Sequence, residues 1–238
     1  MLCKTPSYNL PISHHPSPPT LNCSYRPHSA SSHETHHITA TQSSSQPTTL
    51  FNIRFQTLEA CRLGIGRYPD FDYNANGGTS TGTGIGSAAG NFDAPDKIST
   101  IFDIEKLYIP PLTGATTRFL GLPLPPLLKI DIAPEIFQGS ISRSSGKVEL
   151  HFRAKFWFSI GSVYRAPPLM VETVLTSEES KGGLRGGKGE RLDEEGKCRL
   201  VGVATVDPIE DSIMNAFLSL PTECIAEINA QIFMTAAS

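Results

Sequence analysis

The sequence predicts an α+β fold: a curled antiparallel sheet of six or seven strands packed against a kinked C-terminal helix. Three observations predict it. Over Gly146 to Ile160 every even position from Val148 is apolar, and the odd positions are Glu149, His151, Arg153, Lys155, Trp157 and Ser159. Apart from Trp157 this is period two, the mark of a long strand with one dry and one wet face. Shorter alternating segments on either side, separated by turn residues, supply its neighbours. After Val206 the period changes. Ile209, Ile213, Phe217, Leu220, Cys224, Ile228 and Ile232 are spaced by threes and fours and form one helical stripe.

The leader segment differs in composition from the rest. Ser, Thr, Pro and His dominate the first fifty residues, Glu34 is the only acid, and Lys4 and Arg26 are the only bases. An acid-poor, hydroxyl-rich leader without an apolar stretch reads as an organelle transit peptide, and its scarcity of arginine favours the plastid. Residues 1–60 are therefore expected to be a disordered transit peptide, with processing between about 50 and 65. His33-Glu34-Thr35-His36-His37 matches the HExxH zinc pattern by letter. That chemistry needs a helix with an apolar face, and the flanking residues offer none.

Residues 61–97 read as a glycine-rich linker. Gly82-Thr83-Gly84-Ile85-Gly86-Ser87 comes near a dinucleotide-binding loop. Counting from Gly82 puts Ser87 at the third glycine, and counting from Gly84 puts Ala89 there. No strand leads in and no Walker lysine follows. Arg67 to Tyr73 is richer in aromatics and reads as an arm on the domain or on a partner.

The folded domain is expected over 98–235. Residues 101–109 read as a strand with a bulge near Glu105-Lys106. Leu120 to Leu128 is an apolar loop that its prolines keep from regular structure. It either caps one end of the core or meets a lipid surface, an apolar ligand or a partner. Residues 128–132 and 136–142 read as two strands separated by Pro134, and Ser144-Ser145-Gly146 turns into the long strand. Residues 169–176 alternate again. Residues 180–189 read as a flexible basic loop, and 197–206 as a last strand covered on both faces. Asp207 and Pro208 mark a helix start, and Pro221 predicts its kink.

The run from Phe119 to Glu178, with Arg199 to Val206, resembles a conserved plastid protein family of plants, algae and cyanobacteria that has no assigned activity. The resemblance covers the folded domain and implies plastid residence. The outline also resembles helix-grip and lipocalin-like lipid carriers, a likeness of architecture that assigns no function.

Composition narrows the chemistry. The chain has 238 residues, a net charge of -3 and 18% charged residues, so nothing points to nucleic acid. No apolar run approaches the roughly 18 residues of a membrane span. Cys3, Cys23, Cys61, Cys198 and Cys224 form no CxxC pair and read as free thiols. His151, the one histidine beyond the leader, falls on the wet face of the long strand, beside Arg153 and Lys155. No nucleophile elbow or paired carboxylates occur, so no catalytic residue, metal ligand or cofactor is assigned.

Two functions remain. One is a non-enzymatic plastid protein that binds a lipid or pigment or lies on a lipid surface. Its expected site is Phe152, Phe156 and Phe158 of the curled sheet with Leu122, Leu124 and Leu127 of the proline-rich loop. The other is an assembly or scaffold factor for a plastid protein complex, using the same loop and Trp157. A curled sheet closed by a helix encloses either a cavity or a filled core.

Overall fold

A computed structural model describes residues 48–87 and 96–237. The transit-peptide reading of 1–47, the HExxH match and the two leader cysteines lie outside the described residues.

Eight long strands follow one another: β1 (Thr48–Thr57), β2 (Thr79–Ser87), β3 (Lys97–Phe102), β4 (Leu128–Ser142), β5 (Val148–Ile160), β6 (Leu169–Thr176), β7 (Lys197–Val206) and β8 (Thr222–Ala236). Each pairs antiparallel with the next, and β8 pairs back with β1, Phe55 lying opposite Ile232. The result is a closed up-and-down barrel of the size whose interior either fills with side chains or holds one small ligand. Four short strands, Cys61–Ile65, Phe71–Tyr73, Thr117–Phe119 and Leu122–Pro123, extend the sheet as a wing from the first half of β8. With Tyr164–Arg165 on β5, the whole sheet has 13 strands. One short helix, α1 (Ser212–Leu218), lies between β7 and β8.

This corrects the expected fold of six or seven strands against a kinked C-terminal helix. The helical stripe ends at Leu218, where Ser219 caps α1 in the left-handed region, and residues 222–236 are a strand. A spacing of four serves both periods: one turn of helix, or two pleats of strand. Cys224, Ile228 and Ile232 fit either. The deciding positions are Ala226 and Ala230, which complete a period-two inner face but are too small to read as apolar pattern. The helix start is also displaced. Asp211, not Asp207, is the N-cap, its side chain accepting from the Met214 amide at 2.8 Å.

The amino-terminal readings change as well. Residues 48–57, placed in the disordered leader, are the barrel strand β1, with Phe51, Ile53 and Phe55 buried inward. The stretch 79–87, read as linker, is β2. Its alternation lies between glycine and larger residues, because Gly82, Gly84 and Gly86 face the packed interior. A Cβ on Gly84 would lie 2.5 Å from Ile98 and 2.7 Å from Ile53. Residues 101–109 are the end of β3 followed by a 3-10 turn at Ile104–Lys106.

Pro134 does not separate two strands. Residues 128–142 form the single strand β4, with a bulge between Pro134 and Ile136 that moves the inner face from even to odd numbers. The bulge turns Glu135 outward, where it meets Arg153 Nε at 3.0 Å and Lys155 Nζ at 2.6 Å. His151 meets Glu172 at 2.8 Å on the same outer face. The basic side chains of β5 are thus paired with carboxylates. Trp157, on this face too, lies under the Arg165 guanidinium at 4.7 Å.

The presumed flexible loop over 180–189 is an ordered ribbon, Glu179–Lys181 against Gly186–Lys188. Two charged side chains clasp it to the barrel. The Glu223 carboxylate accepts from the amides of Gly183, Leu184 and Arg185 at 2.7, 2.7 and 2.9 Å. Arg185 donates to the carbonyls of Gly66, Ile65 and Tyr68 and pairs with Asp70.

The two ends of the barrel differ. At the end where β4 turns into β5, Phe51, Ile98, Ile141, Val148, Leu150 and Leu200 are buried in one cluster. At the other end, where α1 lies, the wing and the helix cover the barrel with clusters of their own.

Candidate functional site: an apolar cavity in the barrel

The site begins with an aromatic floor at mid-barrel. Phe102 stacks on Phe137 at a centroid distance of 4.5 Å, and Phe55 and Phe152 meet Phe137 edge-on at 5.1 and 6.0 Å. Below this floor the interior is filled. Above it, toward α1, lies a cavity of about 600 Å³, within the range of small-molecule sites.

Its walls show how the side chains leave this space. On one side stand Ile130, Ile132, Phe156 and Phe158 of β4 and β5. On the other, β7 and β8 present small residues: Gly202 opposite Ala226, and Ala204 opposite Cys224. Gly202 lets β7 approach β6 closely, since a Cβ there would lie 2.9 Å from Leu175 and Thr173, and Ala204 and Ala226 leave room in front of their strands. The wing closes one side with Tyr73, Phe119, Leu122 and Leu124, and α1 contributes Phe217 and Leu218.

Five of the six residues expected from sequence line this cavity: Phe152, Phe156, Phe158, Leu122 and Leu124. The alternation of β5 and the apolar loop bring them together. Leu127 is not among the lining residues; it is 72% exposed, beside Gly161. Leu122 and Phe217 line the cavity while remaining 70% and 53% exposed, so they form its rim. The sequence reading missed the small residues of β7 and β8. Their signal was the inner-face alternation of Cys224, Ala226 and Ile228, hidden by the four-residue spacing.

Among the described residues no charged side chain lines the cavity. Most hydroxyls in its wall are already spent on backbone carbonyls. Thr57 donates to Ala75, Tyr73 to Pro110, Tyr68 to Phe217, and Thr173 to Val203 at 2.8 Å. The last of these spans the seam where β6 and β7 part above the pair Thr176–Val201. Burial holds the Tyr73 phenol far above its ordinary pKa.

The cysteines are poorly placed for nucleophilic chemistry. Burial pushes Cys224, on the cavity wall, up to about 11, and Cys198 up to about 12, and it raises Cys61 as well. At neutral pH all three are thiols, the unreactive form. Among the described residues no cluster of three metal-ligating side chains occurs, and no helix is long and apolar enough to cross a membrane.

Comparison with protein-family models, with curated proteins and with solved structures found no match.

Proposed function

We propose that this protein is a non-enzymatic carrier that holds an apolar ligand inside its barrel and works in a plastid. One observation carries the reading: an apolar cavity of about 600 Å³ in an otherwise tightly filled barrel, with no charged group in its wall among the described residues. A hydrocarbon seated against these apolar walls gains dispersion contacts along its length. The acid-poor, hydroxyl-rich sequence of the leader supports the plastid.

The test is native mass spectrometry of the protein purified from plastids, followed by solvent extraction. A stoichiometric lipid or pigment is expected. A bare mass from protein that also fails to take up the neutral probe N-phenyl-1-naphthylamine would overturn the reading. The exposed leucines of the loop, Leu120, Leu122 and Leu127, favour the second reading, an assembly factor. A mass raised by a protein partner over an empty barrel would establish that instead.

A further inference from the structure

Three segments meet at the rim of the cavity: the wing hairpin and the turn after it over 119–128, the β5–β6 turn over 160–164, and α1 with its exit over 212–220. Leu127 lies against Gly161, whose amide donates to the Leu127 carbonyl at 2.9 Å. The Tyr164 hydroxyl donates to Asp211 at the start of α1 at 2.8 Å, and the Phe217 ring lies 6.5 Å from that of Phe158. Leu122 and Phe217 line the cavity and are themselves exposed, so the cavity is continuous with the outer surface here. Leu120, Leu127, Val163 and Ile213 extend that apolar surface, Val163 being 90% exposed. None of the three segments contains an Asp, Glu, Lys, Arg or His.

Two of these leucines sit where the backbone disfavours them. Leu120-Gly121 is a two-residue hairpin loop between the paired Phe119 and Leu122, and both loop residues have positive φ, 51° and 79°. That is the type I′ turn, which favours Asn at its first position. The turn from Pro125 to Leu128 is closed by the Leu128 amide on the Pro125 carbonyl at 3.2 Å, and Leu127 within it has a φ of 71°. Leu127 occupies the place that a type II turn gives to Gly or Asn. A leucine at positive φ strains against its own Cβ. Its side chain, left in water, gains nothing from burial. An apolar phase in contact with both tips offsets these two costs together.

On the carrier reading, we infer that this uncharged rim docks on a lipid bilayer, which supplies and receives the ligand through the open end. A protein seated on the same leucines would close the cavity that they surround. A bilayer covers them and is itself the phase in which apolar molecules dissolve.

The experiment is co-sedimentation of the full chain with phosphatidylcholine vesicles, with uptake of N-phenyl-1-naphthylamine measured separately in the absence of vesicles. The wild-type protein should bind the vesicles equally at low and at high salt, because no charge takes part. The double variant Leu120→Asn, Leu127→Asn should bind them about tenfold more weakly. It should melt at the same or a higher temperature, because Asn tolerates the left-handed region, and it should take up the probe as before, since neither leucine lines the cavity. Wild-type protein that stays in solution, or that covers the rim by forming a dimer, would overturn the docking site. So would binding that needs anionic lipid and fades in salt. Undiminished binding by the double variant would overturn its placement at the rim. Probe uptake without vesicle binding would leave the carrier reading standing and overturn the docking alone. Vesicle binding without probe uptake would overturn the carrier reading, and with it delivery through the rim.

Discussion

The two halves of the barrel are built from the same strands and are held together in opposite ways. The half toward the β4–β5 turn is braced from within. Ile98, Ile141, Val148, Leu150 and Leu200 are at most 1% exposed there, and three inward glycines of β2 let them close up. The half toward α1 has a hollow interior and is braced from without. The wing covers it, α1 caps it, and the Glu223 and Arg185 clasps fix the ribbon to its outer wall. The difference teaches how a barrel keeps a cavity: small side chains on two adjacent strands open the space, and polar bonds outside replace the packing that is forgone.

The sharpest way to break this comparison is to delete apolar volume in each half. Leu150→Ala should cost about 3 kcal/mol, because it opens a new void in a filled region. Ile132→Ala should cost well under half of that, because the lost atoms face the cavity and not packed neighbours. Denaturant unfolding of both variants measures the pair, and equal losses would mean that the cavity is filled or collapsed in solution.

Adding volume reverses the contrast. Gly84→Ala puts a methyl group 2.5 Å from Ile98 and should cost about 2 kcal/mol through overpacking. Ala204→Phe adds far more volume, yet it should leave stability nearly unchanged while reducing uptake of N-phenyl-1-naphthylamine at least tenfold. Melting temperature and probe fluorescence report the two effects separately. A destabilised Ala204→Phe protein would place less room behind β7 than the structure has.

The same contrast explains what the sequence could and could not tell. The filled and hollow halves share β5, β6 and β7, and their bounds were readable because apolar residues alternate along β5 and β6 and run almost unbroken through β7. Phe152, Phe156 and Phe158 were placed on one inner face for the same reason. The hollow itself was not readable. It arises from Ala204 and Ala226, whose smallness is a gap in a pattern, and from closure of β8 onto β1, a contact between positions some 180 residues apart in sequence. β1 had a signal that was passed over: Phe51, Ile53 and Phe55 alternate with Asn52, Arg54 and Gln56. The composition of the preceding residues outweighed it. In β2 the inward residues are glycines, so the hydrophobic pattern that marks a strand is absent where the strand is most tightly packed.

External bracing of the hollow half makes its own prediction. Arg185 is 15% exposed and gathers three carbonyls of the turn at 65–68 together with Asp70. Arg185→Met keeps the aliphatic stem and removes these charge-assisted bonds, at a cost of about 2 kcal/mol. Faster amide exchange should appear in residues 65–70 and the ribbon and leave β4 and β5 protected. Loss of protection throughout the barrel would show that the two halves do not brace themselves separately.

The smallest effect belongs to Glu223. The three ribbon amides that point at its carboxylate favour the charged form and hold its pKa below the usual value of about 4.3. A carboxyl depressed in the folded state stabilises the clasp above its unfolded pKa, and that stabilisation is lost as the pH falls through the folded value. The amide shifts of Gly183 and Leu184 should therefore titrate with a midpoint below about 4.3, and the ribbon should loosen over that same interval. In Glu223→Gln the shifts should stay flat and the ribbon should be loose at every pH. A wild-type midpoint at or above the ordinary carboxylate value would mean that the amides do not hold the anion in solution. The hollow half would then depend on Arg185, the wing and α1 for its outer support.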